Sequence, residues 1–90
     1  MDRYEVVINK KALKGIEKLG NKEKEVLSKL ITDLRISGPI QPCYPNYSSL
    51  GNNKYHCHLS HHWVACWYSE KGKVKIEVYY VGSRESAPYK

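Results

Sequence analysis

This 90-residue chain has no long apolar run and none of the paired cysteines that staple small secreted domains. Its apolar stretches are only a few residues long, whereas a membrane-spanning helix needs about 20. Cys43, Cys57 and Cys66 are odd in number and show no Cys-x-x-Cys spacing, which argues against a disulfide framework. Nothing at the N-terminus resembles a signal peptide, so a reduced, cytoplasmic protein is expected. Internal repeats and low-complexity tracts are also missing. Acidic residues are scarce: Asp+Glu 9 against Lys+Arg 15 gives a net charge of +6 and a pI near 9.3. A small basic domain of this kind meets a polyanion or an acidic protein partner. The basic residues are spread along the chain, so a generic solvated surface is the competing reading. The length allows one domain, residues 1–90, with a modest core.

Residues 3–9 read as a short strand with Tyr4, Val6 and Ile8 on one face. Lys10 to Leu19 switches period, and Leu13, Ile16 and Leu19 predict a short amphipathic helix closed by Gly20. Asn21 reads as the N-cap of a second helix, with Glu23 and Glu25 in its first turn. Leu27, Leu30, Ile31 and Leu34 give that helix an apolar stripe, and Ser37-Gly38-Pro39 ends it. So short a connection predicts an antiparallel helical hairpin. Pro39, Pro42 and Pro45 make residues 38–53 a connecting loop, with Leu50 expected to tuck into the core. A strand pair, a glycine-containing turn at 69–73 and a final strand from Val74 to Val81 follow. The expected fold class is α+β: strand-helix-helix-three strands, a mostly antiparallel sheet packed on one face by the helical hairpin. The other face of the sheet is expected to be open.

What the sequence has in abundance is histidine, concentrated in one place. All four histidines lie between His56 and His62, inside the stretch Lys54 to Tyr68. Alternation puts Tyr55, Cys57 and Leu59 on one face, and Lys54, His56, His58 and Ser60 on the other. A zinc reading is weak, because Cys57 points away from the histidines and no second cluster supplies the remaining ligands at a recognisable spacing. Acid–base chemistry on RNA fits better and needs no metal or cofactor. Cleavage through a 2′-hydroxyl requires a base, an acid for the leaving 5′-oxygen, and cations for the charged phosphorane. Imidazoles supply the first two near neutral pH, arginine grips phosphate, and aromatic rings stack on unpaired bases. His56, His58, His62, Arg84 and Tyr89 supply these groups. Each taken singly is also what an ordinary solvated surface displays.

Three segments stand out beside the element order: Tyr55-His56-Cys57-His58, His62-Trp63-Val64-Ala65-Cys66-Trp67 and Tyr79-Tyr80-Val81-Gly82-Ser83-Arg84. Together they resemble the RelE/ParE superfamily of toxins, and its YafQ-like branch most. The resemblance implies a RelE-like fold and a ribosome-dependent endoribonuclease that cuts mRNA at the small-subunit decoding site. It also implies neutralisation by an acidic antitoxin. Carried over position by position, His58, His62, Arg84 and Tyr89 fall on catalytic positions. Lys54, His56, His61 and Lys75, basic or imidazole groups elsewhere on the chain, are expected to hold RNA. Two departures stand out: His62 replaces an aspartate, and Val64 stands where the RelE branch has an arginine. The superfamily's ParE-type toxins, which inhibit gyrase, and a non-catalytic RNA-binding domain are the alternatives.

Overall fold

The computed structural model describes residues 3–89. The elements are β1 (Glu5–Ile8), α1 (Lys10–Glu17), α2 (Asn21–Ser37), β2 (Ser48–Gly51), β3 (Lys54–His58), β4 (Trp63–Ser69) and β5 (Lys75–Ser83). The strands form one sheet in the order β1-β5-β4-β3-β2. β1 runs parallel to β5, and every other pairing is antiparallel. The α+β architecture read from the sequence is present, with one strand more than expected. No helix among the described residues is long and apolar enough to cross a membrane.

The additional strand is β2, inside the segment read as a connecting loop. Asn52 and Asn53 both adopt positive φ, 52° and 66°, the conformation of a tight hairpin turn, and so fold β2 back on β3. The prolines are compatible with it because β2 lies at the sheet edge and all three precede it. Leu50 on this strand is half-buried and stands outside the core cluster, contrary to expectation.

The helices start and pack differently from the periodicity reading. Asn9, not a strand residue, caps α1 by accepting a hydrogen bond from the Ala12 N–H at 2.8 Å. Gly20 is the residue preceding α2, so Asn21 is its first helical residue rather than its cap. Leu13 was expected in the core and is instead 47% exposed; Ala12 is the fully buried residue of α1. The reason is Gly15. A side chain at this position would overlap the Val81 carbonyl, so α1 lies directly on the backbone of β5. That close approach favours the small face of the helix, Ala12 and Gly15, over the leucine. Gly15→Ala should therefore push α1 off β5, with a loss of about 1–3 kcal/mol or more measured by urea unfolding. Wild-type stability in that variant would show that the helix can move without cost.

Leu19, Leu27, Leu30, Leu34, Cys57, Ala65, Trp67, Ile76, Val78 and Val81 make up most of the core between the helices and the sheet. The alternation predicted for β5 fails near its middle, because a bulge shifts its register between Cys66 and Trp67 of β4. Val74 falls before the strand and is 63% exposed. The proline-rich segment is tied to the core at several points. Trp67 Nε1 donates to the Pro39 carbonyl at 3.0 Å, and Tyr44 Oη donates to Asp33 Oδ2 at 2.6 Å. Gln41 Nε2 donates to the Gly38 carbonyl at 2.9 Å.

Candidate active site

The register of β3, β4 and β5 decides which residues meet. His58 sits opposite Val64, which sits opposite Gly82, so the end of β3 and the end of β5 lie in one row. Just past that row the Arg84 N–H donates to the His62 carbonyl at 2.8 Å. This bond fixes the start of the C-terminal tail against the β3–β4 turn. The His58 N–H donates to the Pro45 carbonyl at 2.8 Å, so the proline-rich segment closes the third side. The outcome is a cleft of about 360 Å³ lined by Pro45, Asn46, His58, Ser60, His61 and Arg84.

The sheet face carrying the histidines is not open. His56 and His58 are each only 8% exposed. Past Arg84 the chain makes a turn, with the Ala87 N–H donating to the Arg84 carbonyl at 3.3 Å. It then returns across the sheet and lays the Tyr89 ring on His56, 4.3 Å between centroids. His56 is held from the other side by Ser48 of β2, whose Oγ lies 3.0 Å from its Nδ1. His56 and His58 are neighbours, 5.8 Å between ring centroids.

This burial governs the protonation of both rings. The His58 pKa is lowered, first by desolvation and then by the positive charges of Arg84 and His61. The His56 pKa is lowered by desolvation and then by His58, partly offset by the backbone of Ser48. For both rings burial is the larger cause and the cationic neighbours the smaller. Tyr89 is shifted upward, chiefly by burial, and keeps its proton at neutral pH. The sign for stability follows from the two histidines. The unfolded chain, with imidazoles near 6.5, takes up protons before the folded one does. Stability should hold above that value and fall as the pH drops toward the lowered folded values. Thermal melts from about pH 7.5 to about pH 5 should show a falling Tm that His56→Gln makes flatter. A Tm independent of pH over that span would contradict the burial of these rings.

The other residues singled out from the sequence divide into two groups. Arg84 and His61 join His58 in the cleft. Lys54 stands on the same strand face as His56, with its Nζ 5.7 Å over the Tyr79 ring, beside a second depression that Tyr89 also lines. His62 does not line the cleft: it is exposed, its ring edge-on to His61 at 4.6 Å, and its contribution is the carbonyl that holds Arg84. Lys75 starts β5, seven residues before Gly82 of the His58 row, roughly 23 Å away along the strand. It belongs to the opposite end of the sheet. Ser48, Pro45 and Asn46 escaped the sequence reading. The Gly51-Asn52-Asn53 turn was the available signal for Ser48, since it implies a strand before it. Among the described residues no group of three or more His, Cys, Asp or Glu could hold a metal ion.

No protein-family model matches the chain, and no curated protein does. Solved structures do match it. A free double arginine-to-alanine mutant of the E. coli toxin RelE is 25% identical with a TM-score of 0.73, covering 99% of this chain and 90% of that one. Archaeal RelE from Pyrococcus horikoshii, in complex with RelB, is 14% identical with a TM-score of 0.74, covering 94% and 99%. A chain of the E. coli DinJ–YafQ toxin–antitoxin complex is 14% identical with a TM-score of 0.70, covering 96% and 98%. The resemblance carried by Tyr55–His58, His62–Trp67 and Tyr79–Arg84 thus extends to the whole architecture, and the chain has the RelE-like fold of the RelE and YafQ toxins.

Proposed function

We propose that this chain is the toxin of a toxin–antitoxin pair and an endoribonuclease that cleaves mRNA at the ribosomal decoding site without a catalytic metal. The observation that carries the proposal is the convergence of His58, His61 and Arg84 on one cleft, with His58 kept neutral by burial. A neutral imidazole accepts the 2′-hydroxyl proton. The released oxygen attacks the adjacent phosphorus, and the bond to the 5′-oxygen breaks. Arg84, which makes no ion pair among the described residues, is free to bind the phosphate and the charge that builds on it. His61, which shares the cleft, returns a proton to the leaving 5′-oxygen. Tyr89, its inner face packed on the buried His56, keeps a partly exposed ring on which a base can stack. Solved neighbours in complex with antitoxins, together with the +6 charge, support an acidic antitoxin as the partner.

Purified protein added to ribosomes carrying a message should produce fragments with a 2′,3′-cyclic or 3′-phosphate and a 5′-hydroxyl. Fragments bearing 5′-phosphates would point to metal-activated water and overturn the chemistry. Growth arrest with intact messages and inhibited gyrase would replace it with the ParE-type reading.

A further inference from the structure

Helix α1 carries an arrangement that stability explains only at its C-terminal end, where Lys14 in the last turn and Lys18 at the C-cap suit the helix dipole. Lys10 and Lys11 occupy its first turn, where the helix dipole opposes positive charge, and the first turn has no acidic residue. Lys11, Lys14 and Lys18 then follow at spacings of three and four, so like charges stand next to one another on one face. All three are exposed, and none is in an ion pair among the described residues. Lysines in the first turn and a row of like charges break local rules, and a surface that does so is what a binding surface looks like.

The surroundings tell what is bound. Gly15 seats α1 on the backbone of Val81, which brings the lysines beside the end of β5. There they border a depression of about 410 Å³ together with Trp63, Tyr80 and Ser83. Trp63 and Ser83 are paired across β4 and β5, and the next residue after Ser83 is Arg84 of the His58 cleft. The two depressions therefore lie on either side of one ridge, residues 82–86, and a single strand could cross it. Lysine ammonium groups with two partly exposed aromatic rings are the composition that grips single-stranded nucleic acid: charge for phosphates, rings for bases.

We propose that Lys11, Lys14, Lys18, Trp63 and Tyr80 form a second RNA subsite, holding nucleotides that flank the scissile phosphate bound at His58 and Arg84. The inference rests on the reading of the His58 cleft as an RNA-cleaving site. It makes α1 a grip on the message strand, separate from the chemistry.

A short 2′-O-methyl oligouridylate, which lacks the attacking hydroxyl, serves as the probe, with binding followed by fluorescence anisotropy across a range of salt. Replacing Lys11, Lys14 and Lys18 by Gln should lower the slope of log K against log salt by about 2, at roughly 0.7 per neutralised phosphate. The same three-charge change at Lys22, Lys24 and Lys71 should leave the slope within a few tenths of wild type. Equal loss in both variants, or no loss in the first, would overturn the subsite. If the triple variant loses its fold by circular dichroism, Lys14→Gln and Lys18→Gln singly should each remove about 0.7 of slope, and no change in either would overturn it as well. A parallel titration with polyglutamate, in which the triple variant loses as much binding as with RNA, would reassign the surface to an acidic protein. Message cleavage on ribosomes by the wild-type protein is the separate measurement. Cleavage with an unchanged slope sinks the subsite alone, whereas a reduced slope without cleavage sinks the nuclease reading and keeps the subsite.

Discussion

Replacing His58 by Ala should slow single-turnover cleavage of a ribosome-bound message by about 10²–10⁴-fold, the usual contribution of one general acid–base group. The ring lies at the end of β3 with its backbone held by Pro45, and its surroundings keep it unprotonated near pH 7. Wild-type cleavage should rise as pH climbs through the lowered pKa of His58. The Ala variant should lose that rise. Because His58 is largely buried, the variant must be compared with a conservative partner. His58→Gln keeps most of the volume and removes the base, so it should lose activity by the same order while melting near wild type. Arg84→Ala, at an exposed residue, should be comparably inactive with little change in Tm. Arg84→Lys should recover only part of the rate, since a lysine cannot grip two phosphate oxygens at once. A His58→Gln protein that cleaves at the wild-type rate would move the base to His61 or Tyr89.

The second large effect is expected at Trp67, far from the chemistry. Its ring is fully buried in the centre of the core, stacked 6.2 Å from Tyr55 and 6.3 Å from Tyr47. Its Nε1 also holds the Pro39 carbonyl, the start of the segment whose Pro45 and Asn46 wall the cleft. Trp67→Ala should cost about 3–5 kcal/mol, a large part of the roughly 5–15 kcal/mol that keeps a small domain folded. Urea denaturation would read this directly. Trp67→Phe keeps most of the ring and removes only the hydrogen bond. It should cost about 1–3 kcal/mol through the unpaired Pro39 carbonyl. It should also lower cleavage more than its stability explains, by loosening the wall beside His58. Normal cleavage in Trp67→Phe would show that the proline-rich segment positions itself without this anchor.

Several parts of this protein were determined by the sequence alone. Period-two alternation around Tyr55, Cys57 and Leu59, and the i, i+3, i+4, i+7 stripe of α2, define the element types because each buries one face. The same alternation put His56 and His58 together, and the Gly82-Ser83-Arg84 ending fixed the cation that follows the last strand. The excess of lysine and arginine was equally plain, since charge needs no fold to be counted.

What the sequence did not decide were the relations between distant segments. Leu13 had the right period for the core, yet Gly15 brings α1 so close to β5 that only Ala12 fits beneath it. Ser48 looked like loop, because the edge strand it occupies exists only through pairing with β3. Lys75 and Arg84 both belong to β5 or its end, and only the register shows that one stands beside His58 and the other at the far end. His62 read as catalytic and His61 as an RNA contact, whereas in the fold His62 gives its carbonyl to the Arg84 N–H and His61 lines the cleft, a difference set by how the turn meets the tail. The face that carries the histidines read as open because its cover is the protein's own tail, which turns at Ala87 and returns Tyr89 to His56. The protonation of His58 depends on burial among segments distant in the chain, Pro45 and Asn46 on one side and Arg84 on the other, and desolvation is a property of three-dimensional surroundings that no local pattern encodes.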